Sequence, residues 1–287
     1  MQIIRIFEIM KMKLNNGREI PSPGFGTFKI PEGEICISSV QEALRAGYTH
    51  IDTAAVYENE KSVGEAIKGT PRESIFLTSK VWNADRGYDS TLRACEKSLQ
   101  LLGTDYLDLY LIHWPANEMQ FGAKAEGINK DTWRAMERLV DEGIIRAAGL
   151  SNFYRHHMEP ILADANIVPA VDQIEYHPGL MQEETVKLCR ANGILVEAWS
   201  PLGRGRGGLL EEPVLAEIAG RYGKTPAQVL LRWCIQTGVL PLVKSVHAER
   251  IRENLDIFGF ALSEADVAAL SAHQDLRVGS HPDTAAF

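Results

Sequence analysis

Four side chains of complementary chemistry follow three neighbouring apolar stretches of the chain: Asp52, Tyr57, Lys80 and His113. A free phenol is a poor acid at neutral pH, with a pKa of about 10, but an adjacent ammonium favours its ionised form. A carboxylate can keep that ammonium charged and oriented, and an imidazole can bond an oxygen atom and aim it. Together the four groups could give a proton to an oxygen on which negative charge develops.

Each of these residues also has an ordinary structural interpretation. Taken singly, Asp52 could cap a helix, Lys80 could be a solvated charge, His113 could be a histidine at the rim of the fold, and Tyr57 could be a packing residue. A catalytic role is favoured because the four residues can complete one mechanism together. That interpretation requires a fold that brings the ends of the three apolar stretches to one place.

The chain predicts such a fold because two kinds of segment alternate along it. Strand candidates cover residues 24–28, 50–52, 75–80, 107–113, 145–151, 171–175, 195–199 and 240–243. Helix candidates cover residues 38–46, 60–68, 90–101, 132–142, 156–165, 183–192, 213–237 and 248–255. The strand runs are mostly apolar rather than alternating, as expected of parallel strands covered on both faces. Asp131 and Thr132 are the expected start of the fourth helix, because such residues favour helix N-termini.

About eight strand-then-helix units without a break in composition predict an α/β fold, a closed (β/α)8 TIM barrel, as one domain over residues 1–287. The alternative is an open doubly wound sheet, but no Gly-x-Gly-x-x-Gly follows an early strand. Asn16 and Gly17, between two short apolar runs, predict a β-hairpin ahead of the barrel. Residues 1–11 are expected to form an irregular extension, and residues 263–272 an extra C-terminal helix.

The composition narrows the classes of function. A formal net charge of −8 argues against a nucleic-acid groove, which needs a basic face, although it permits a local basic pocket for a phosphate. The four cysteines are scattered, so neither a zinc site nor a disulfide framework is expected, and we predict no metal. There is neither a signal-peptide pattern nor an apolar stretch of about 20 residues. We expect a cytoplasmic protein that binds neither nucleic acid nor membrane.

Six motifs together resemble those of the aldo-keto reductase family. Residues 47–57 resemble its first signature, with Asp52 and Tyr57 at the matching positions; residues 75–82 resemble its lysine strand and residues 107–115 its histidine strand. Residues 149–153, 173–178 and 242–246 match later motifs in the same order. The resemblance implies carbonyl reduction with NADPH/NADP+, in which Tyr57 is the general acid, Lys80 and Asp52 support it, and His113 orients the carbonyl. It also implies that the hairpin closes the bottom of the barrel.

The resemblance also assigns the cofactor contacts. It implies that Ser151, Asn152 and Gln173 bond the nicotinamide carboxamide, that Trp199 stacks on the ring, and that residues 200–203 pass the pyrophosphate. The full predicted cofactor set is Gly26, Thr27, Asp52, Ser151, Asn152, Gln173, Trp199, Ser200, Pro201, Leu202, Gly203, Lys244, Ser245, Val246, Arg250, Glu253 and Asn254. Within it Lys244, Ser245 and Arg250 match the 2′-phosphate site of members that prefer NADPH, and Glu253 and Asn254 match adenine contacts. The glycine-rich residues 203–208 are either a loop that folds over the pyrophosphate or a flexible surface loop.

An aromatic substrate mouth is predicted from Phe28, Tyr57, Trp82, His113 and Trp114. It suits small aldehydes, ketones and α-dicarbonyls, including sugar or keto-acid carbonyls, without selecting one of them.

The chain departs from the common family pattern at two positions that matter below, and two other functions stay open. Trp199 stands where tyrosine is common, which resembles bacterial 2,5-diketo-D-gluconic acid reductases, and Asp172 stands where asparagine is common.

A monomer is expected, since monomers are common in the family. One alternative is an NADP(H)-binding regulatory subunit with residual activity. The other is an unrelated barrel, an isomerase or aldolase, with Lys80 as a Schiff base.

Overall fold

The structure, a computed structural model, describes residues 9–273 and 276–287. The strands in these residues are β1 (Met10–Lys13), β2 (Glu19–Ser22), β3 (Gly24–Gly26), β4 (His50–Asp52), β5 (Phe76–Val81), β6 (Leu109–Ile112), β7 (Ala148–Ser151), β8 (Val171–Glu175), β9 (Leu195–Trp199) and β10 (Leu240–Val243). The last eight pair in parallel and close into a barrel in the order β10-β3-β4-β5-β6-β7-β8-β9. Nearly all of their residues are buried, in keeping with the apolar runs in the sequence. The predicted (β/α)8 barrel is confirmed.

The N-terminal hairpin plugs one end of this barrel. β1 and β2 pair antiparallel around a turn in which Gly17 has φ 84°, a conformation that glycine adopts without strain. Leu14 and Ile20 are buried in one apolar cluster with residues at the amino ends of the barrel strands, such as Leu109 and Leu240. The hairpin therefore closes the bottom, as predicted. The irregular extension expected over residues 1–11 needs correction, because β1 begins at Met10; residues 1–8 lie outside the described part of the chain.

Helices surround the barrel and bury one face each against it. Those in the described residues are α1 (Glu34–Ala46), α2 (Glu60–Ile67), α3 (Tyr88–Leu102), α4 (Glu118–Phe121), α5 (Ala125–Asp141), α6 (Arg155–Asp164), α7 (Glu183–Ala191), α8 (Pro213–Tyr222), α9 (Pro226–Gln236), α10 (Ala248–Glu253) and α11 (Glu264–Ser271). The region expected to be helical over residues 213–237 is thus two helices. Gly223, with φ 59°, ends α8, and the side chains of Thr225 and Gln228 cap the start of α9 reciprocally. α11 confirms the extra C-terminal helix.

The start of the helix expected over residues 132–142 was wrong. α5 begins at Ala125, so Thr132 lies inside it. The Thr132 hydroxyl donates to the carbonyl of Ile128 within the helix (2.7 Å) and accepts from the backbone N–H of Gly87 (2.8 Å). Thr132 therefore does not cap the start of the helix. Its hydroxyl connects the helix to the loop at Gly87.

The main core lies between the barrel and its helices. The four cysteines are buried there as free thiols. No helix among residues 9–273 and 276–287 is long and apolar enough to cross a membrane.

One buried acid in this core yields a prediction about stability. Asp172 is fully buried, its Oδ1 has no hydrogen-bond partner within the described residues, and burial raises the pKa of its carboxyl well above 3.8. The unfolded chain therefore loses this proton first, and stability falls as the pH rises from about 4 towards the folded-state pKa, by at most about 1.4 kcal/mol per pH unit. Asp172→Asn removes that loss.

We expect urea unfolding to show Asp172→Asn more stable than the parent at pH 8, with a smaller difference at pH 5. Equal differences at the two pH values would contradict this account. Asp256→Asn is a suitable control, because Asp256 is partly exposed and its carboxylate accepts from Lys224 (2.6 Å).

Candidate active site

A cleft at the carboxyl ends of the barrel strands is lined by three of the four residues with which the sequence analysis began, Asp52, Tyr57 and His113. Its volume is about 690 Å³. It is lined by Gly26, Phe28, Lys29, Asp52, Val56, Tyr57, Trp82, His113, Trp114, Ser151, Asn152, Gln173, Trp199, Ser200, Pro201, Leu202, Arg204, Gly205, Arg206, Leu210, Leu242, Val243, Lys244, Arg250, Ser280 and Phe287. Lys80 lies beneath this lining, fully buried. The barrel thus brings together strand ends that are far apart in the sequence, as its topology requires.

Lys80 is the centre of a buried charged network. Its ammonium donates to both carboxylate oxygens of Asp52 (2.7 and 2.8 Å) and to the Thr53 carbonyl (2.9 Å). Burial alone would lower the pKa of Lys80, but the Asp52 carboxylate outweighs it, and the pKa lies above its usual value. The hydroxyl of Tyr57 lies 3.4 Å from the same Nζ. Lys80 is therefore charged at neutral pH and faces the phenol.

Tyr57 stands in a short 3-10 turn, Ala55–Tyr57, shortly after the end of β4 at Asp52. Its ring lies between Phe28 (5.0 Å between centroids) and His113 (5.5 Å). Burial raises the pKa of Tyr57, and the charge of Lys80 counteracts part of that rise. The phenol is therefore protonated at neutral pH, and Lys80 acts in the direction that the sequence predicted, without bringing the pKa below its usual value.

His113 follows β6 and is buried beside the ring of Trp82, at 5.2 Å between centroids. Burial, with the charges of Lys80 and Arg86, holds its pKa well below 6.5. The imidazole is therefore neutral. Its Nδ1 has no hydrogen-bond partner among the described residues, so one polar atom of the ring is unused in this structure.

Four of the predicted nicotinamide contacts form one hydrogen-bonded set at the ends of β7, β8 and β9. The Trp199 indole donates to Asn152 Oδ1 (2.8 Å), and the Asn152 amide donates to the His113 carbonyl (2.9 Å). The Ser151 hydroxyl donates to the backbone carbonyl of Gln173 (2.8 Å). These bonds fix the side chains of Trp199 and Asn152 relative to the catalytic candidates.

The cleft continues to two cations, Lys244 and Arg250, which form no ion pair among the described residues. The neighbouring Arg252, by contrast, is paired with Glu42. Unpaired cations in a concave site fit a phosphate group, which would supply the missing charge partner. The donor set of this cleft therefore fits a phosphorylated dinucleotide.

Six members of the predicted cofactor set do not line the cleft. Thr27 is buried, and its hydroxyl donates to the carbonyl of Asp52 (3.0 Å). Ser245 Oγ accepts from the backbone of His247 (3.1 Å), and Glu253 accepts from the hydroxyl of Thr225 (2.8 Å). The others are Gly203, Val246 and Asn254, of which Val246 alone is exposed. Cofactor contact at these six positions stays a prediction.

The main residue that sequence reasoning missed is Phe287. Its ring stacks on Trp82 (5.5 Å between centroids, 22° between planes) and meets the edge of Trp114 (5.2 Å). The tail is anchored where Glu175 accepts from the backbone of Val278 (2.6 Å) and Gly279 (3.0 Å). No local pattern predicts this position, because it depends on contacts between segments that are far apart in the sequence, from Glu175 with Val278 (103 positions) to Asn83 with Phe287 (204 positions).

A second anchor of the tail is the carboxylate of Asp283, which lies 2.9 Å from His156 Nε2 and 3.1 Å from His157 Nε2. His157 Nδ1 accepts from the backbone N–H of Tyr154 (3.2 Å), so the proton of the neutral ring is on Nε2. That nitrogen therefore donates to Asp283 and does not offer the lone pair that a metal would need. The three residues form a clamp that holds the tail.

Arg204, in the glycine-rich loop, also lies in the cleft. Its guanidinium is 5.0 Å from the Trp199 ring and 5.5 Å from the Phe28 ring, and its Nε donates to Ser200 Oγ (3.0 Å). The sequence drew attention to this arginine only as part of residues 203–208. Closure of that loop over a cofactor stays a prediction.

Comparison with known proteins agrees with the fold and the cleft. The sequence pattern described as the Aldo/keto reductase family matches residues 24–275. Glyoxal reductase of Bacillus subtilis is 50% identical over 279 residues, which cover 96% of this chain and 97% of that protein. The solved structure of an aldo-keto reductase from Bombyx mori in complex with NADP superposes with a TM-score of 0.85 at 35% identity, over 94% of each chain.

A further solved aldo-keto reductase, complexed with NADPH, gives a TM-score of 0.86 at 32% identity over 94% of this chain and 90% of that one. This chain belongs to the aldo-keto reductase family. It is an oxidoreductase whose cofactor is NADPH/NADP+.

Proposed function

We propose that this protein reduces small aldehydes and α-dicarbonyls, with NADPH as hydride donor and Tyr57 as general acid. The observation that carries the proposal is the placement of one protonated phenol 3.4 Å from a buried ammonium that a carboxylate holds in place. The relative named glyoxal reductase supports α-dicarbonyls as the substrate class.

The chemistry that the cofactor supplies when bound is the hydride for the carbonyl carbon. The chain supplies the proton and the orientation. The neutral ring of His113 bonds the carbonyl oxygen and aims it at Tyr57. As the C–H bond forms and negative charge moves to that oxygen, the Tyr57 hydroxyl gives up its proton, and the Lys80 charge stabilises the resulting phenolate. Solvent protonates the phenolate before the next turnover. In alcohol oxidation the same phenolate is the general base.

The aromatic walls of the cleft exclude water and leave room for a small substrate. We propose Phe28, Trp82 and Trp114 as substrate contacts, and add Phe287, whose ring covers the two tryptophans. Glyoxal or the slightly larger methylglyoxal would fit between them beside a nicotinamide ring. We also propose that the enzyme acts as a cytoplasmic monomer, which sedimentation analysis and cell fractionation can test.

The direct experiment is to mix the protein with NADPH and glyoxal or methylglyoxal and follow the absorbance of the reduced nicotinamide. Steady multiple turnover supports the proposal. Cofactor binding without turnover favours the regulatory subunit instead. A panel of sugar and keto-acid carbonyls in the same assay would rank substrates.

A second test concerns the phosphate end of the cleft. If Arg250 bonds the 2′-phosphate, Arg250→Ala removes a charge-assisted hydrogen bond, for which we expect NADPH affinity to fall about 10- to 100-fold. NADH, which lacks that phosphate, should bind as it does to the parent. Calorimetric titration of both cofactors measures this.

Arg252→Ala is the matched control, because Arg252 lies on the same helix, α10, but pairs with Glu42 on the surface. It should change neither affinity. If Arg250→Ala lowered the affinities for NADPH and NADH equally, Arg250 would not bind the 2′-phosphate.

A further inference from the structure

Glu197 is a fully buried acid on the inner side of the barrel, next to the catalytic network but without a part in it. It lies on β9, and its Cα pairs in register with that of Gln173 on β8. Its side chain has no exposed surface. A carboxyl group is costly to bury, so its place beside the cleft needs a reason.

The burial of Glu197 is explained by its contact with the side-chain amide of Gln173. Gln173 Nε2 donates to Asp52 Oδ2 (3.0 Å) and to Glu197 Oε2 (2.9 Å). A primary amide has two N–H groups, and both are thus used inside the barrel. Gln173 lines the cleft, so the group left to face a ligand is its carbonyl oxygen Oε1.

The protonation state of Glu197 suits this contact. Burial, helped by the charge of Asp52, raises its pKa to about 8, so at neutral pH it accepts a hydrogen bond without a second negative charge beside Asp52. The hydrogen bond from Gln173 and the charge of Lys80 act against this rise in the pKa without cancelling it. Lys80 is paired with Asp52, and His50, whose Nε2 lies 4.0 Å from Glu197 Oε1, has its pKa lowered by burial to about 4 and is neutral.

Asp52 alone would hold only one of the two N–H groups. Without an acceptor at position 197, the second N–H would be buried and unsatisfied, which typically costs about 1–3 kcal/mol. The Gln173 side chain would then gain by rotating until that N–H reached the cleft. Glu197 removes this alternative.

We propose that Glu197 is a positioning residue for the cofactor: it holds the Gln173 amide so that the carbonyl oxygen accepts from the carboxamide NH2 of nicotinamide. This inference rests on the proposed contact between Gln173 and the carboxamide. In this proposal, a buried acid inside the barrel determines the orientation of the neighbouring amide.

The test is a binding experiment without any carbonyl substrate. Calorimetry compares NADPH with its reduced 3-acetylpyridine analogue, in which a methyl ketone replaces the carboxamide and its N–H donors are lost. The parent should bind the analogue about 10-fold more weakly than NADPH. Glu197→Met, similar in size but with only a weakly accepting thioether, should bind NADPH about 10-fold more weakly than the parent and should barely distinguish the two ligands.

Two variants separate positioning from a merely structural role. Glu197→Gln keeps an acceptor oxygen and should retain both the affinity, within about 2-fold, and the preference for NADPH. Asp172→Asn removes another fully buried acid on the same sheet, one that does not line the cleft, and should leave both quantities unchanged. If Glu197→Met does not fold, Glu197→Ala carries the same expectations.

The inference is overturned if Glu197→Met keeps the parent's affinity or its preference, if Glu197→Gln loses the preference as Glu197→Met does, or if the parent binds the two ligands equally. Because turnover is not measured, these outcomes are independent of the proposed reaction. A protein that shows the expected binding pattern but reduces no carbonyl would overturn the proposed function and leave the role of Glu197 standing.

Discussion

Replacing Tyr57 with phenylalanine is expected to lower kcat for glyoxal reduction by about 10³-fold, within the usual contribution of a general acid. The substitution removes only the hydroxyl that lies 3.4 Å from Lys80. The ring keeps its place between Phe28 and His113, so the dissociation constant of NADPH should change less than about 2-fold. Stopped-flow or steady-state absorbance gives kcat, and calorimetry gives the affinity.

Tyr88→Phe is the control for this experiment, because Tyr88 stands on α3, outside the cleft, with its hydroxyl 3.4 Å from Arg138. It should leave kcat unchanged. A Tyr57→Phe protein with near-parent kcat would show that the proton comes from another group.

Lys80→Met is expected to have two large effects at once. In the proposed mechanism it removes the charge that stabilises the Tyr57 phenolate, so kcat should fall at least as far as in Tyr57→Phe. It also leaves the Asp52 carboxylate buried without its cation, which by comparison with other broken buried pairs destabilises the fold by about 3–5 kcal/mol. Urea unfolding at pH 7 measures the loss. The loss should shrink towards pH 4, where protonating the stranded carboxyl becomes easier.

The double variant Asp52→Asn with Lys80→Met separates the two effects. Because no charge is stranded, most of the lost stability should return, while kcat stays low. If the double variant is as unstable as Lys80→Met, packing rather than charge pairing determines the stability at this position. If Lys80→Met turns over normally, the ammonium has no part in proton transfer.

The sequence predicted the catalytic candidates for a physical reason. In a parallel barrel every strand ends at the same mouth, so a polar residue directly after an apolar run must lie there. Asp52, Lys80 and His113 stand at the ends of the predicted strands, Tyr57 stands a few residues beyond Asp52, and the structure brings the four together in or directly beneath one cleft. Strand order needed no long-range information, because consecutive units of the chain are neighbours in the barrel.

What the sequence did not predict depends on contacts between distant segments. Thr132 had the residue type of a helix start, but its hydroxyl bonds Gly87, and the helix begins seven residues earlier. Phe287 reaches the cleft because Glu175 and Asn117 bind the backbone of the tail, which leaves no periodic signal. Glu197 lies within the predicted strand 195–199, and nothing in that short run indicates its partner. Only the register between β8 and β9 shows that it meets Gln173.

The tail clamp has a practical consequence for recombinant work. The Phe287 ring stacks on Trp82 at the cleft, and its backbone carbonyl accepts from the side chain of Asn83 (3.2 Å). A purification tag fused after Phe287 would therefore emerge beside Trp82 and Trp114. There it could change the KM values that are measured for carbonyls. The hairpin, by contrast, closes the opposite end of the barrel, away from this cleft.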